Sequence, residues 1–223
     1  MTTDLDALRA YDTPTLANAL LGLSDRPANA GFTRPPIHSI LPDLPAMVGH
    51  VVTCTIVSDS PFAEGEDPAK AMLPLYDLVA GAPTPSIIVV QDLDQGAGCL
   101  WGEVNATICS TLGCEGVVTD GLVRDVPDVE RVGFRYLARG VGVSRAWCRI
   151  VDVDVPVEVG GMAVSPGDIV HADRHGALVI PPEHVAALPA AADAVTAKED
   201  RLLTWVRSDG FDPAELEARR AQH

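Results

Sequence analysis

Aromatic and basic residues are both scarce in this sequence. Phe, Trp and Tyr make up 4% of the 223 residues, so the core must be built mainly from the aliphatic residues of the 47% hydrophobic fraction. Lys and Arg number 16 against 31 Asp and Glu, and the formal net charge is -15. Nucleic-acid surfaces depend on clustered Lys and Arg. This balance argues against nucleic-acid binding, although a local arginine could still hold a small anion.

Long apolar runs are missing as well. No window approaches the roughly 20 apolar residues that a membrane span needs, and the acidic stretch MTTDLDALRAYDTP has no apolar segment typical of a secretory signal. The five cysteines are odd in number and form no C-x-x-C pair, so neither a disulfide framework nor a zinc site is indicated. We therefore expect a cytoplasmic protein without a membrane partner.

The usual nucleotide and hydrolase motifs are absent too. No G-x-G-x-x-G follows a predicted strand, and the sequence contains neither G-x-x-x-x-G-K-[ST] nor G-x-S-x-G. Nucleotide binding and serine-hydrolase chemistry therefore lack their ordinary sequence support.

The hydrophobic pattern predicts an α/β fold in one domain over residues 1–223. Nearly continuous β-branched runs at 48–57, 86–90 and 116–119 predict buried strands, with helical spacing between them. From residue 148 onward, short alternating runs separated by Gly-Gly, Pro-Gly and His-Gly predict antiparallel strands. The order of these elements favours a mixed sheet with flanking helices.

Helices are expected on both sides of that core, which covers about 46–181. Two N-terminal helices lie within 4–23, and Thr13 is the expected N-cap of the second. A further helix is expected over 69–79. A helical tail covers about 182–221.

The tail is predicted to begin with one long helix over 182–206. Leu202, Leu203, Trp205 and Val206 are more apolar than a free tail requires. We expect this end to pack on the core or on a neighbouring subunit.

The stretch from Trp101 to Asp128 carries the residues most suited to chemistry. Apolar residues at four-residue spacing, Val104, Ile108 and Leu112, predict a helix over about 102–112 that packs on the sheet. The preceding segment, QDLDQGAGCLWGE, is expected to be a loop.

Glu103 stands at the head of this helix. A carboxylate there either caps the exposed N–H groups or faces a metal ion, and the residues alone leave both interpretations open. The same helix start offers a site for a substrate carboxylate. Its backbone N–H groups belong to Gly102, Glu103, Val104 and Asn105.

Arg124 and Asp125 follow a buried strand and an Asp-Gly turn. They could form a simple surface ion pair, but charged residues at the carboxyl end of a strand are typical of ligand sites in α/β proteins. An Asp oxygen suits Mg²⁺ or Mn²⁺, which keep several waters. The arginine fork suits a carboxylate or a developing enolate oxygen.

These residues lie within a longer stretch that resembles the RraA-like family. The similarity is carried by WGEVNA and by GCEGVVTDGLVRDVPDVERVGFRYLARG, and it extends to SIIVV upstream and to VPVEVGGMAVSPGDIVHADRHGALVIPP downstream. The family includes class II pyruvate aldolases acting on 4-hydroxy-4-methyl-2-oxoglutarate, and regulators of ribonuclease E activity. The resemblance implies a three-layer ββα sandwich like the swivelling phosphohistidine domain. It also implies a homotrimer or homohexamer with active sites at subunit interfaces.

The resemblance further implies roles for the individual residues. In aldolase members an acidic residue precedes the Arg-Asp pair by twenty intervening positions, and Glu103 occupies that place here. Asp125 would ligate the divalent metal, with Glu103 or Asp128 assisting through coordinated water. Arg124 would bind the pyruvyl part and stabilise the enolate. The backbone of Gly102–Asn105 would hold the substrate carboxylate.

The implied function is that of a metal-dependent carbon–carbon lyase. It would cleave a 4-hydroxy-2-oxo-acid to pyruvate and a 2-oxo-acid, with oxaloacetate decarboxylation as a second activity. The alternative is a non-catalytic regulator that binds a ribonuclease or another protein. The loop QDLDQGAG departs from the family pattern of one Asp followed by glycines, and 24–45 and 58–68 also look individual. Such segments could reshape the distal part of a pocket.

Overall fold

The chain forms the mixed α/β structure that its hydrophobic pattern predicts. The computed structural model describes residues 5–221, so Asp4 of the predicted first helix lies outside the described residues. In chain order the strands are β1 (His38–Ser39), β2 (Met47–Val57), β3 (Ser86–Asp92), β4 (Cys99–Trp101), β5 (Cys114–Thr119), β6 (Leu122–Val123), β7 (Arg135–Ala138), β8 (Gly140–Val141), β9 (Arg149–Val153), β10 (Val157–Val159), β11 (Met162–Val164), β12 (Ile169–Asp173) and β13 (Gly176–Ile180). The α-helices are α1 (Thr13–Leu20), α2 (Leu73–Gly81), α3 (Glu103–Thr111), α4 (Val126–Val132), α5 (Leu188–Val206) and α6 (Leu216–Ala221). Short 3-10 helices cover Asp6–Ala10, Pro68–Lys70, Pro182–His184 and Pro213–Glu215.

The main sheet contains eight strands in the described part of the chain. Seven follow the order β1-β7-β5-β3-β2-β12-β13, and β9 pairs with the second half of the long strand β2. Its centre, made of β2, β3, β5 and β7, is parallel. The remaining strands pair antiparallel. The carboxyl ends of β3 and β5 therefore meet at one edge of the sheet.

Both faces of the main sheet are covered, which gives the expected three layers. The sheet has a hydrophobic core on each face. Successive residues of β3 point into one core or the other, because side chains alternate across a strand. Ile88 and Val90 pack with the buried faces of α2, α3 and α4. Ile87 and Val89 pack with the β10–β11 hairpin. The buried β-branched runs thus determine the ββα sandwich.

A small second sheet was not expected from the sequence. It consists of β4, β6 and β8, all parallel and two or three residues long. The prediction that QDLDQGAGCLWGE is only a loop is therefore wrong at both ends, because Gln91 and Asp92 extend β3 and Cys99–Trp101 form β4. Strands this short show too few alternations to be read from periodicity.

Helix starts differ from the predictions for a common reason. Proline has no N–H and is tolerated only in the first helical turn. Pro74 therefore places the start of α2 at Leu73 instead of residue 69, and Pro189 places the start of α5 at Leu188 instead of residue 182. In α1 the N-cap is Asp12, which accepts a hydrogen bond from the N–H of Thr15, and the predicted cap Thr13 is the first helical residue.

The tail leaves the core half-way along α5. Leu188 and Ala192 are buried in a core cluster shared with α1, whereas Leu203 is 41% and Val206 37% exposed. Trp205 packs at an angle against Phe211, with ring centroids 5.0 Å apart. The apolar end thus does not pack on the core of its own chain, and packing on a neighbouring subunit stays a prediction. No helix within residues 5–221 is both long and apolar enough to cross a bilayer.

One ion pair fastens the N-terminal segment to the sheet. Arg9 donates two hydrogen bonds to the carboxylate of Glu115 on β5, at 2.8 and 2.6 Å, and further ones to the carbonyls of Ala46 and Val48. The two side chains are 26% and 20% exposed. The bond to Glu115 raises the pKa of Arg9. The charges of Arg9 and Glu115 are therefore paired with each other at a largely buried position.

We expect Glu115→Gln to lower the free energy of unfolding by about 1–3 kcal/mol, because Arg9 would keep its buried charge and lose a charge-assisted bidentate partner. Urea unfolding measures the change. Glu215→Gln is the matched control, since it breaks the exposed Arg219–Glu215 pair and should change stability by less than about 0.5 kcal/mol. Equal effects of the two substitutions would contradict the role given to Arg9–Glu115.

Candidate active site

The parallel pairing of β4 with β6 brings two distant parts of the chain together. Trp101 at the end of β4 lies opposite Val123 at the end of β6, and both side chains are fully buried. The N–H of Arg124 donates to the carbonyl of Trp101 at 2.9 Å. Gly102 and Arg124 consequently leave the small sheet side by side.

Asp125 is held in an unusual backbone conformation beside the start of α3. Its φ is +57°, in the left-handed region that few non-glycine residues adopt. Its Oδ2 accepts a hydrogen bond from the N–H of Glu103 at 3.1 Å and lies 3.8 Å from Nε of Arg124. The carboxylate is thus aimed at the head of α3 before α4 begins.

Gly102 is required for this arrangement. A Cβ at position 102 would lie 2.4 Å from Oδ2 of Asp125 and 3.2 Å from Nε of Arg124. Real Cβ atoms do not approach an oxygen that closely. The absence of a side chain at Gly102 therefore lets the carboxylate approach the helix start.

The first turn of α3 has N–H groups to offer a ligand. The helical ladder begins with the N–H of Ala106, which donates to the carbonyl of Gly102 at 3.0 Å. The N–H of Glu103 is already taken by Asp125. The N–H groups of Val104 and Asn105 lie ahead of the first helical bond, where such groups lack an intrahelical partner.

Asn105 is fixed by two short hydrogen bonds. Its amide donates to the carbonyl of Leu100 at 2.6 Å, and its Oδ1 accepts from the hydroxyl of Tyr76 at 2.6 Å. Tyr76 lies on α2, so the bond ties that helix to the head of α3. Sequence spacing gave no reason to connect Tyr76 with this site.

These groups line one cavity of about 290 Å³, which we call the Arg124 cavity. Gly102, Val104 and Asn105 line it from α3, and Arg124 and Asp125 from the end of β6. The remaining wall includes Met72, Tyr76 and Arg145, together with Leu100, Pro68 and Ala69.

The guanidinium of Arg124 has unused donor capacity. Its Nε is buried and has no hydrogen-bond partner within residues 5–221, since the 3.8 Å approach to Asp125 is longer than a hydrogen bond. A buried donor without a partner is unfavourable. A ligand oxygen in the Arg124 cavity would satisfy it.

Not all the predicted site residues line this cavity. Gly102, Val104, Asn105, Arg124 and Asp125 do. Val104, predicted to pack on the sheet, is instead 70% exposed, because the buried stripe of α3 runs through Ala106 and Cys109.

The two remaining carboxylates differ from each other. The side chain of Glu103 is exposed beside the cavity and forms no hydrogen bond or ion pair within the described residues. The side chain of Asp128 is engaged with Arg131, one helical turn further along α4.

The site offers oxygen donors suited to a hydrated hard cation. Asp125 is the carboxylate that lines the cavity, and its Oδ1 has no hydrogen bond within the part of the chain described. No group of three or more His, Cys, Asp or Glu within residues 5–221 could hold a metal together. The donor set therefore fits an ion such as Mg²⁺ that keeps most of its waters, and does not form an all-protein cage.

A second acidic pair lies at the same sheet edge, outside the cavity lining. Asp92 ends β3, is 2% exposed, and has an Oδ1 without a partner among the described residues. Burial, helped by the neighbouring Asp94, raises the pKa of Asp92 to about 7. Burial also disfavours the charged form of Asp94, but hydrogen bonds from the N–H groups of Asp59 and Ser58 outweigh this and lower its pKa. Below about pH 7 the pair therefore carries one negative charge, on Asp94, and Asp92 keeps its proton.

Comparison with known proteins connects this geometry to a family. A family model described as "RraA-like: Aldolase/RraA" matches residues 4–179. A protein of Halalkalibacterium halodurans with the provisional name 4-hydroxy-4-methyl-2-oxoglutarate aldolase is 29% identical over 96 residues, which cover 43% of this chain and 46% of that protein. The matches span about half the length, or less, of the curated relatives.

Solved structures share the fold. An uncharacterised protein from Pseudomonas syringae superposes with a TM-score of 0.75 at 24% identity, covering 98% of this chain and 93% of that one. Streptomyces coelicolor RraAS2, described as an unusual member of the RNase ES inhibitor RraA family, gives a TM-score of 0.68 at 24% identity, covering 88% and 93%. These similarities show the common architecture.

The pH dependence of stability tests the environment of Asp92. Its folded pKa lies above the unfolded value of 3.8, so the folded chain keeps a proton that the unfolded chain releases as pH rises. We expect the free energy of unfolding to fall between about pH 4 and about pH 7, at up to about 1.4 kcal/mol per pH unit. Urea unfolding of Asp92→Asn should lack this decline, and the variant should be more stable than wild type at about pH 8.

Asp94→Asn provides the matched control with the opposite sign. The lowered pKa of Asp94 contributes stability above its unfolded value of 3.8, and that contribution is lost as pH falls. This variant should therefore be less stable than wild type at about pH 8. If both substitutions changed stability in the same direction at about pH 8, the assignment of the raised pKa to Asp92 would be wrong.

Proposed function

The chain belongs to the RraA-like family, and we propose that it is a divalent-metal-dependent class II pyruvate aldolase. The substrate would be a 4-hydroxy-2-oxo-acid such as 4-hydroxy-4-methyl-2-oxoglutarate, cleaved to pyruvate and a second 2-oxo-acid. The name of the Halalkalibacterium halodurans relative supports this choice of substrate.

The observation that carries the proposal is the convergence of three groups on the Arg124 cavity. A carboxylate held against a glycine, an arginine Nε without a partner and free helical N–H groups line one space. A surface ion pair would need neither a missing Cβ at Gly102 nor a strained φ at Asp125. Strain of this kind is typical of functional sites.

Cleavage breaks the bond between C3 and C4 of the acid. The C4 hydroxyl gives its proton to a base and becomes a carbonyl, while the electron pair moves onto C3 and the 2-oxo oxygen as an enolate. Protonation at C3 then yields pyruvate. The protein must therefore orient the acid, remove one proton and stabilise an oxyanion.

The residues of the cavity divide these tasks. The N–H groups of Val104 and Asn105 would hold the carboxylate of the 2-oxo-acid, at the positive end of the α3 dipole. Arg124 would donate to the enolate oxygen. Asp125 would hold Mg²⁺ or Mn²⁺, which when bound supplies Lewis-acid polarisation of the 2-oxo group.

Glu103 is the better candidate for the second carboxylate. The side chain of Asp128 is paired with Arg131. Glu103 lies next to Asp125, because its backbone N–H donates a hydrogen bond to the Asp125 carboxylate. We propose that Glu103 orients the water that accepts the hydroxyl proton. Oxaloacetate decarboxylation passes through the same enolate and is proposed as a second activity.

The proposed enzyme is a homotrimer or homohexamer with active sites between subunits. Exposed apolar side chains near the cavity are consistent with a subunit contact. Val104 is 70%, Val143 90% and Trp147 45% exposed.

The same exposed side chains also support the rival proposal, a regulator that binds a ribonuclease or another protein without catalysis. Apolar side chains on a surface often mark protein contacts. A stable complex with such a partner, formed by a protein that turns over no 2-oxo-acid, would favour the regulator.

Pyruvate release from 4-hydroxy-4-methyl-2-oxoglutarate and from oxaloacetate tests the proposed activity. Chelator-treated protein should be inactive and should regain activity with Mg²⁺ or Mn²⁺. Asp125→Ala should lower kcat/KM by about 100-fold or more, because the ion would lose its protein ligand. Metal-independent turnover, or an unchanged rate in Asp125→Ala, would refute the proposal.

Gly102→Ala probes the cavity with one added methyl group. The new Cβ must displace the carboxylate of Asp125, and we expect kcat/KM to fall by about 10- to 100-fold while the chain remains folded. Gly81→Ala is the control, since nothing lies within 4 Å of a Cβ built there. Similar losses in both variants would show that the close approach at Gly102 is unimportant.

A further inference from the structure

Arg145 brings a second positive charge to the Arg124 cavity. It lies in the loop between β8 and β9, lines the cavity and is half-buried. Its Nη2 donates to the carbonyl of Pro68 at 3.2 Å. It has no acidic partner at ion-pair distance within residues 5–221, although acidic residues outnumber basic ones about two to one.

The loop that carries Arg145 is anchored on both sides. The N–H of Cys99 on β4 donates to the carbonyl of Ser144 at 2.8 Å, and the N–H of Trp147 donates to the carbonyl of Ser58 at 3.3 Å. Gly98 allows close packing, because a Cβ there would lie 3.0 Å from the carbonyl oxygen of Arg145. The backbone of Arg145 is thus fixed relative to β4, which also positions the head of α3.

Arg145 and Arg124 lie near different tyrosines. Burial raises the pKa of Tyr76, and the charge of Arg145 opposes that rise. Burial likewise raises the pKa of Tyr136, but there the opposing guanidinium is that of Arg124. The two arginines therefore face different neighbours, as they would if each received a different end of one ligand.

The charges lining the cavity indicate which ligand would use both arginines. Arg124 and Asp125 together carry no net charge, so Arg145 makes the lining positive in a chain of net charge -15. The 2-oxo end of an acid is already served by Arg124 and the N–H groups of α3. The guanidinium of Arg145 is therefore available to bind a second anionic group of the same ligand.

We propose that Arg145 is a specificity-determining residue, which binds the carboxylate at the end of the substrate remote from its 2-oxo group. The preference for a 2-oxo-dicarboxylate over a monocarboxylate of equal length, which the proposed substrate already implies, would then depend on Arg145. This inference rests on the proposed function for the position of the 2-oxo end.

Two substrates of equal length isolate the distal group. 4-Hydroxy-2-oxoglutarate carries a carboxylate where 4-hydroxy-2-oxopentanoate carries a methyl group, and cleavage gives pyruvate from both. We expect wild-type kcat/KM to favour the dicarboxylate by roughly 10- to 100-fold, the range for one charge-assisted contact. Arg145→Gln should reduce this ratio to near one by lowering the value for the dicarboxylate, while Arg145→Lys should keep part of it.

Arg174→Gln is the matched control. Arg174 also donates to a proline carbonyl, that of Pro42 at 2.9 Å, but it does not line the Arg124 cavity. Its replacement should leave the substrate ratio unchanged. An equal ratio in wild type and Arg145→Gln, with turnover intact, would overturn the inference and leave the proposed function standing.

A binding measurement separates the inference from the catalytic proposal. 2-Oxoglutarate and 2-oxopentanoate differ in the same group and lack the hydroxyl that cleavage needs. Calorimetry in the presence of Mg²⁺ should show tighter binding of 2-oxoglutarate, lost in Arg145→Gln. This result without any turnover would support the role of Arg145 while refuting the aldolase. Failure of folded wild-type protein to prefer 2-oxoglutarate would overturn the role of Arg145.

Discussion

The candidate site depends on the pairing of two very short parallel strands. Residues 99–101 and 122–123 are joined by backbone hydrogen bonds, and the bond from Arg124 N–H to the Trp101 carbonyl closes the end of that pairing. The contact sets Gly102 beside Asp125 and starts α3 and α4 from neighbouring points. The buried side chains of Trp101 and Val123 shield this strand pairing from solvent. Without this pairing, the carboxylate, the arginine and the helical N–H groups would belong to separate loops.

Much of the architecture follows from the sequence pattern alone. The β-branched runs around β2, β3 and β5 predict buried strands, and the stretch after residue 148, which glycine and proline interrupt, predicts antiparallel ones. Both predictions are confirmed, because a hydrophobic pattern over a long run depends on many side chains and not on any single one. Helix starts were misjudged at Pro74 and Pro189, where the position of one imino acid in the first turn outweighs the general pattern.

The site was less accessible to sequence reasoning. The Arg-Asp pair and the glycine before Glu103 could be identified, because the pair directly follows a buried strand and the glycine stands at a helix start. Tyr76 and Arg145 could not, since they approach the cavity from α2 and from the β8–β9 loop, and no spacing relates them to Arg124. The exposure of Val104 was missed for a related reason, because helical periodicity gives a stripe but not which neighbour covers it. The roles of Glu103 and Asp125 stay predictions.

The need for glycine at position 102 also limits which parts of the site can change during evolution. The groups around it that would hold a 2-oxo-acid are largely main-chain atoms, set by strand pairing and by the start of a helix. The remaining wall is made of side chains from other elements, including Arg145 of the β8–β9 loop and Pro68 of a short 3-10 helix. Loop side chains can be exchanged with little effect on a scaffold, whereas any side chain at position 102 collides with Asp125. Substrate range can therefore evolve at one wall while the other retains a single chemistry.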